Sequence, residues 1–119
     1  MTRPTMAGIA LLALVLGGAA AAARPPVPER VIQVTARKFA YSPSEIAVRR
    51  GEPVVLELTS LDREHGFKLP AFGVDTKIEP GRITRVRLVP TESGHFPFAC
   101  DVFCGSGHDD MSGELVVTE

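Results

Sequence analysis

The sequence has 119 residues, including 10 prolines and 11 glycines, and 45% of its residues are hydrophobic. This length suits one domain and is too short for two. Its 13 basic and 14 acidic side chains give a formal net charge of −1, so no basic excess is available to neutralise a run of phosphates. We therefore do not expect nucleic-acid binding.

The N-terminal segment differs in composition from the rest of the chain. Arg3 carries a positive charge, an uncharged apolar stretch follows over residues 6–16, and small residues cover 17–23. This order is typical of a secretory signal peptide and predicts cleavage after Ala23. The alternative is an uncleaved membrane anchor, because 18 helical residues would reach about 27 Å, close to the hydrocarbon thickness of about 30 Å. Both outcomes predict a periplasmic or other extracytoplasmic domain.

The sequence divides into a signal peptide (1–23), a proline-rich leader (24–29) and one folded domain (30–119). From residue 30 onward, β-branched and aromatic residues come in short runs that glycine and proline separate. Apolar and polar residues alternate over 45–49 and 84–88, which predicts half-buried strands. Seven or eight such strands indicate an all-β sandwich. The runs lie at 31–39, 45–50, 53–60, 66–69, 82–89, 95–99 and 114–118.

Residues 100–111 contain most of the soft metal ligands of the predicted mature chain. Cys100, Cys104, His108 and Met111 offer two thiols, an imidazole and a thioether. Thiolate and thioether select soft Cu(I), and imidazole also accommodates Cu(II). Calcium and magnesium prefer oxygen ligands and are poor candidates. This set of side chains therefore favours copper.

Other interpretations of this segment remain open at the level of the sequence. The four side chains would also share one face of an α-helix, although Gly105 and Gly107 favour a loop. A disulfide between Cys100 and Cys104 is geometrically feasible, but it leaves the histidine and the methionine unexplained. A structural zinc site could use both cysteines and two histidines, but zinc has no use for the methionine.

The motif Cys-x3-Cys-Gly-x2-His-x2-Met resembles that of the cupredoxins with a dinuclear copper A (CuA) centre. Further matches are His65-Gly66-Phe67, Leu69-Pro70 and the run Gly94-His-Phe-Pro-Phe-Ala-Cys100. Members of this family include the copper domains of cytochrome c oxidase subunit II and of nitrous-oxide reductase. The resemblance covers about residues 53–119 and implies a cupredoxin-like Greek-key β-sandwich.

The resemblance also implies a ligand for each position of a site with two copper ions. Two thiolates would bridge both coppers, and each of two imidazoles would bind one of them. A thioether and a backbone carbonyl would be weak ligands of one copper each. Two coppers that share two thiolates can delocalise one electron, so electron transfer would move few atoms. The implied ligands are Cys100 and Cys104, then His65 and His108, then Met111 and the carbonyl of Val102.

The sequence also departs from the oxidase members of this family. Val102 stands where those members usually carry a glutamate that helps to bind magnesium, so we do not expect a magnesium site. The sequence has no tryptophan, and Lys68 stands near a position where an aromatic residue is common. No transmembrane hairpin precedes the copper motif, so we do not expect a working oxidase subunit. His95 alternates with two phenylalanines and should face outward, away from the site.

Two functions follow from these patterns. The first is a monomeric electron carrier whose partner is a redox protein, such as a c-type cytochrome or a terminal oxidase, or a copper-delivery protein. The second is a periplasmic copper chaperone with the same ligands. Membrane contact is expected only if the N-terminal segment stays uncleaved. The sequence shows no nucleophile paired with an orienting base, so we do not expect independent catalysis.

Overall fold

The computed structural model describes residues 28–119 continuously, together with residues 1–5, 8, 10, 12–13 and 17. Most of the predicted signal peptide, its cleavage point and most of the leader lie outside the described residues. Within the described part of the chain, no helix is long and apolar enough to cross a membrane.

Residues 28–119 form nine strands in two sheets, so the predicted all-β sandwich is confirmed. Two short 3-10 turns, Pro70–Phe72 and His108–Asp110, connect strands. The strands are β1 (Arg30–Arg37), β2 (Ala40–Ser42), β3 (Glu45–Arg49), β4 (Val54–Ser60), β5 (His65–Leu69), β6 (Val74–Ile78), β7 (Thr84–Leu88), β8 (Gly94–Ala99) and β9 (Ser112–Thr118).

One sheet has the strand order β2-β1-β4-β7, and the other has the order β3-β9-β8-β5-β6. The pairs β1–β4 and β3–β9 are parallel, and the remaining neighbours are antiparallel. Both parallel pairs join strands that are distant in sequence, so the chain crosses between the sheets several times. These crossings bring loops from both halves of the sequence to the same end of the sandwich.

The core lies between the sheets and follows the alternation seen in the sequence. In β3, Ile46 and Val48 are buried while their neighbours are exposed. In β7, Val86 and Leu88 are buried and alternate with the exposed Arg85 and Arg87. Because strand side chains alternate between the two faces of a sheet, each strand contributes one apolar face to the core. The core also contains the rings of Phe67 and Phe98, which pack in a tilted arrangement with centroids 4.8 Å apart.

The structure adds two strands to the predicted set. The predicted strand 31–39 ends at Arg37, and a turn at 38–39 leads into the separate strand β2. Strand β6 was not predicted because Asp75, Thr76 and Lys77 make its sequence mostly polar. It forms because β5 offers an antiparallel partner over its whole length, from His65↔Ile78 to Leu69↔Val74.

Candidate metal centre

The strand register brings the two candidate ligand segments together. His65 is the first residue of β5, whereas residues 100–111 connect the end of β8 to the start of β9. β5 and β8 are antiparallel neighbours with Lys68 opposite Ala99. The first residues of β5 therefore lie beside the segment that follows β8, although 35 residues of sequence separate His65 from Cys100.

The two cysteines and His65 form the centre of the candidate site. The Sγ atoms of Cys100 and Cys104 are 3.8 Å apart, and both thiols are free. A ring nitrogen of His65 and these two sulfurs all lie within 4.8 Å of one another. Cys104 and His65 are completely buried, and Cys100 is 6% exposed. Three potential metal ligands thus converge in a space that is almost completely buried.

The other predicted ligands surround the two sulfurs. The Cys104 Sγ atom lies 3.6 Å from Nδ1 of His108 and 3.8 Å from Sδ of Met111. The Cys100 Sγ atom lies 3.0 Å from the carbonyl oxygen of Val102. The structure therefore brings together every residue that the sequence singled out as a ligand.

His65 has one ring nitrogen engaged and one free. Its Nε2 lies 2.6 Å from Oδ1 of Asp62, and its Nδ1 is buried without a hydrogen-bond partner. Because a carboxylate can only accept, Nε2 donates to it, and in the neutral imidazole Nδ1 is then the nitrogen with the lone pair. A buried polar atom without a partner is destabilising, and metal-ligating histidines commonly donate their other nitrogen to a carboxylate. Nδ1 of His65 is therefore available to a metal ion, while Nε2 is held by Asp62.

Asp62 links His65 to the turn between β1 and β2. Its Oδ2 accepts a hydrogen bond of 2.7 Å from the backbone N–H of Lys38. Burial opposes ionisation here, but the hydrogen bonds from Lys38 and His65 outweigh it and lower the pKa of Asp62 to about 2. Sequence reasoning missed this role, and the only available signal was an acid three residues before the histidine.

The Cys104 thiol resists ionisation because it is buried. Burial, followed by the hydrogen bond with Cys100, raises the pKa of Cys104 to about 11. The Cys104 thiol is therefore protonated near neutral pH. A metal ion must displace this proton when it binds, because the thiolate is the ligand.

The segment 100–111 is an irregular loop and not an α-helix, so the helical interpretation is wrong. It contains one 3-10 turn, and its ends are joined by a hydrogen bond of 3.1 Å from Cys100 N–H to the Met111 carbonyl. The ring of Phe39 packs against Gly105 and Gly107. A Cβ atom on Gly107 would lie 2.4 Å from Cδ2 of that ring. The glycines therefore allow the loop to lie directly against Phe39.

His95 lies apart from this site, as predicted. It is exposed on β8, and its Nδ1 is 3.1 Å from Oε2 of Glu114 on the neighbouring strand. It pairs with a surface carboxylate and contributes nothing to the sulfur cluster.

Comparisons with known proteins agree with this geometry. A family model described as a cupredoxin-like domain matches residues 6–117. Cytochrome c oxidase subunit 2 of Thermus thermophilus is 34% identical over 88 residues, which cover 74% of this chain and 65% of that protein. Nitrous-oxide reductase of Cupriavidus necator is 30% identical over 90 residues, which cover 72% of this chain and 14% of that enzyme.

A solved structure shows the same fold. The periplasmic domain of subunit II of cytochrome oxidase from Bradyrhizobium japonicum superposes with a TM-score of 0.70 at 23% identity, covering 78% of this chain and 88% of that domain. The predicted resemblance is therefore confirmed. The chain spans less than two thirds of the length of either curated relative.

Proposed function

The chain belongs to the cupredoxin-like family, and we propose that it is an extracytoplasmic electron carrier with a dinuclear copper centre of the CuA type. One observation carries this proposal: two free sulfurs 3.8 Å apart face the buried histidine His65, whose Nδ1 has no partner. His108 and Met111 lie within 4 Å of one of these sulfurs.

The donor set fits copper. Metal–sulfur bonds of about 2.3 Å allow two sulfurs at this separation to bind the same ion. Thiolate, imidazole and thioether are the ligands that copper prefers among the common metals. A zinc site would use the cysteines and the histidines but would leave the sulfur of Met111 without a role.

Each side chain has a distinct part in this proposal. Cys100 and Cys104 hold two coppers between them, and His65 and His108 each complete the coordination of one copper. The weaker donors are the Met111 thioether and the Val102 carbonyl. Bound copper supplies a one-electron couple. The protein holds the ligands in place and excludes water.

The preformed site supports electron transfer over metal delivery. Most of the ligands are buried and held close together by the sheet and the loop, so a redox change at bound copper would require little rearrangement. A protein that delivers copper needs ligands that release it to a competitor. Relatives that are oxidase subunits support a respiratory redox protein as the partner, such as a c-type cytochrome or a terminal oxidase. The predicted signal peptide supports a periplasmic location.

Copper loading followed by redox cycling tests this function. We expect two coppers per chain, retained through repeated reduction by ascorbate and reoxidation in the presence of a moderate-affinity Cu(I) chelator. The Cys104→Ser variant, treated in the same way, controls for copper bound elsewhere. One copper per chain would contradict the dinuclear centre. Complete transfer of copper to the chelator during the first reduction would favour a copper chaperone.

A further inference from the structure

Tyr41 lies beneath the metal centre but offers it no ligand. It is the middle residue of the short strand β2 and is only 3% exposed. Its ring packs edge-on against Phe67 and Phe98, with centroid distances of 6.0 and 5.0 Å. Its hydroxyl donates a buried hydrogen bond of 2.6 Å to the carbonyl oxygen of Gly66, the residue that follows the ligand His65.

Gly66 lies in the part of β5 that has no pairing with β8. The ladder between β5 and β8 has a single pair, Lys68↔Ala99, because β8 ends there. Unpaired backbone groups in a buried strand are costly. The carbonyl of Gly66 is satisfied by Tyr41, and its N–H donates to the Sγ atom of Cys100 at 3.2 Å. The Tyr41 hydroxyl and the Cys100 sulfur thus make the hydrogen bonds with Gly66 that a neighbouring strand would otherwise make.

Only glycine permits this contact. A Cβ atom on residue 66 would lie 2.0 Å from Oδ1 of Asp101, 2.9 Å from the Asp101 nitrogen and 3.0 Å from the Val102 nitrogen. A side chain would push β5 away from the loop and withdraw the N–H from the sulfur. The close approach therefore depends on glycine at position 66.

We propose that Tyr41 is a positioning residue that holds Gly66 so that its N–H donates to Cys100 and raises the reduction potential of the bound copper; this inference rests on the proposed function. A hydrogen bond to a ligating sulfur stabilises negative charge there and so favours the electron-rich, reduced state. Hydrogen bonding around a cysteine sulfur is an established means of tuning copper sites.

A purely structural role for Tyr41 has different consequences. If the hydroxyl only satisfied a buried carbonyl, its loss would lower stability without changing the sulfur's hydrogen bond or the reduction potential. The Tyr41→Phe variant separates these roles because it keeps the ring and removes the donor. Ile46→Val is the matched control, since it trims a buried core side chain of β3 that makes no hydrogen bond to the site.

Hydrogen exchange in the metal-free protein tests the first step. We expect the Gly66 amide to exchange about tenfold faster in Tyr41→Phe than in the unmodified chain, the size expected for the loss of a supporting hydrogen bond. In Ile46→Val, the Gly66 amide should change no more than the other core amides. An unchanged Gly66 rate in Tyr41→Phe would overturn the proposal.

The reduction potential of the copper-loaded protein tests the second step. We expect Tyr41→Phe to shift the redox equilibrium toward the oxidised state by about threefold to tenfold, where tenfold corresponds to about 59 mV for one electron. Ile46→Val should leave the potential unchanged. Equal potentials for Tyr41→Phe and the unmodified protein would overturn the proposal. Failure of the unmodified protein and of both variants to bind copper would instead overturn the proposed function, and the exchange result would still show whether Tyr41 holds Gly66.

The sequence contains a single tyrosine, which permits a test without mutation if the phenylalanine variant does not fold. Growth with 3-fluorotyrosine changes only residue 41 and makes its hydroxyl a stronger donor. We expect slower exchange of the Gly66 amide and a higher reduction potential. No change in either quantity would contradict the proposed role of Tyr41.

Discussion

The two sides of the metal centre are built differently. His65 belongs to a strand whose backbone is paired with β6 along its length, and its side chain is completely buried. His108 belongs to a 3-10 turn in the loop 100–111 and is only half-buried. The strand side is positioned by a sheet, whereas the loop side is positioned by the packing of Phe39 and by the hydrogen bond that joins its two ends.

This difference shows how a small domain can build a candidate metal site of irregular shape. A sheet positions one ligand with its supporting hydrogen bonds, and a loop supplies the other ligands at spacings that a regular strand could not offer. Changes on the strand side should therefore act through the orientation of His65. Changes on the loop side should act through the folding of the loop itself.

Loss of either cysteine should have the largest effect, because the proposed dinuclear centre depends on both sulfurs. We expect Cys104→Ser or Cys100→Ser to abolish the dinuclear centre, since a hydroxyl is a hard and weakly acidic donor. The copper content per chain and the visible spectrum measure this loss. The control is Ser106→Ala, which changes an exposed residue of the same loop. Retention of two coppers and of the native spectrum in either serine variant would disprove the bridging role.

Removal of Asp62 should weaken the strand side. In Asp62→Ala, His65 loses the acceptor that orients its ring, and the Lys38 N–H loses its partner. Such supporting residues are typically worth about 10- to 100-fold in metal affinity, and competition with a chelator would measure the change. Glu64→Ala alters an acid of the same loop and should leave the affinity near that of the unmodified protein. Equal losses in both variants would indicate a general charge effect and would contradict the role of Asp62.

A methyl group on Gly107 should disturb the loop side. The Cβ atom would clash with the Phe39 ring, and overpacking of this kind costs about 1–3 kcal/mol. Residue 107 has a φ of −95°, so the effect of Gly107→Ala would be steric and not conformational. Denaturant unfolding of the metal-free protein would measure the loss, with Ser106→Ala as the neutral neighbour. Unchanged stability would show that Phe39 does not support the loop.

Replacement of Met111 should change the reduction potential of the site without loss of copper. Met111 lies 3.8 Å from the Cys104 sulfur and is 1% exposed, so Met111→Leu preserves the packing while removing a weak thioether donor. We expect both coppers to remain and the reduction potential to change, as measured by redox titration. Loss of copper from this variant would mean that the thioether is a strong ligand.

His95 should have the smallest effect of all. It is exposed and pairs with Glu114 on the outer face of the sheet, so His95→Ala should leave copper content and potential unchanged. The comparison of His95→Ala with His65→Ala tests which upstream histidine binds copper. If His95→Ala removed copper while His65→Ala did not, the assignment of the upstream ligand would be wrong.

Local sequence patterns predicted the features that are determined by residues close together in the sequence. The alternation of residues 45–49 and 84–88 predicted buried and exposed faces, and the spacing from Cys100 to Met111 predicted one ligand cluster. His65 required the resemblance to a known family, because its proximity to the cysteines follows from the register of β5 and β8. Tyr41 and Phe39 could not be found in this way, since each acts through contacts with residues distant in the chain. Asp62 lies only three residues before His65, but local pattern alone does not show that its carboxylate meets that ring.

The electron paramagnetic resonance spectrum of the copper-loaded protein, with a single unpaired electron per chain, tests the central claim most directly. If Cys100 and Cys104 bridge two coppers, the electron is shared and its signal is split equally by two copper nuclei. Such a spectrum, together with two coppers per chain, is the result that we predict. A signal split by one copper nucleus would contradict the dinuclear centre and leave a mononuclear site on the same ligands.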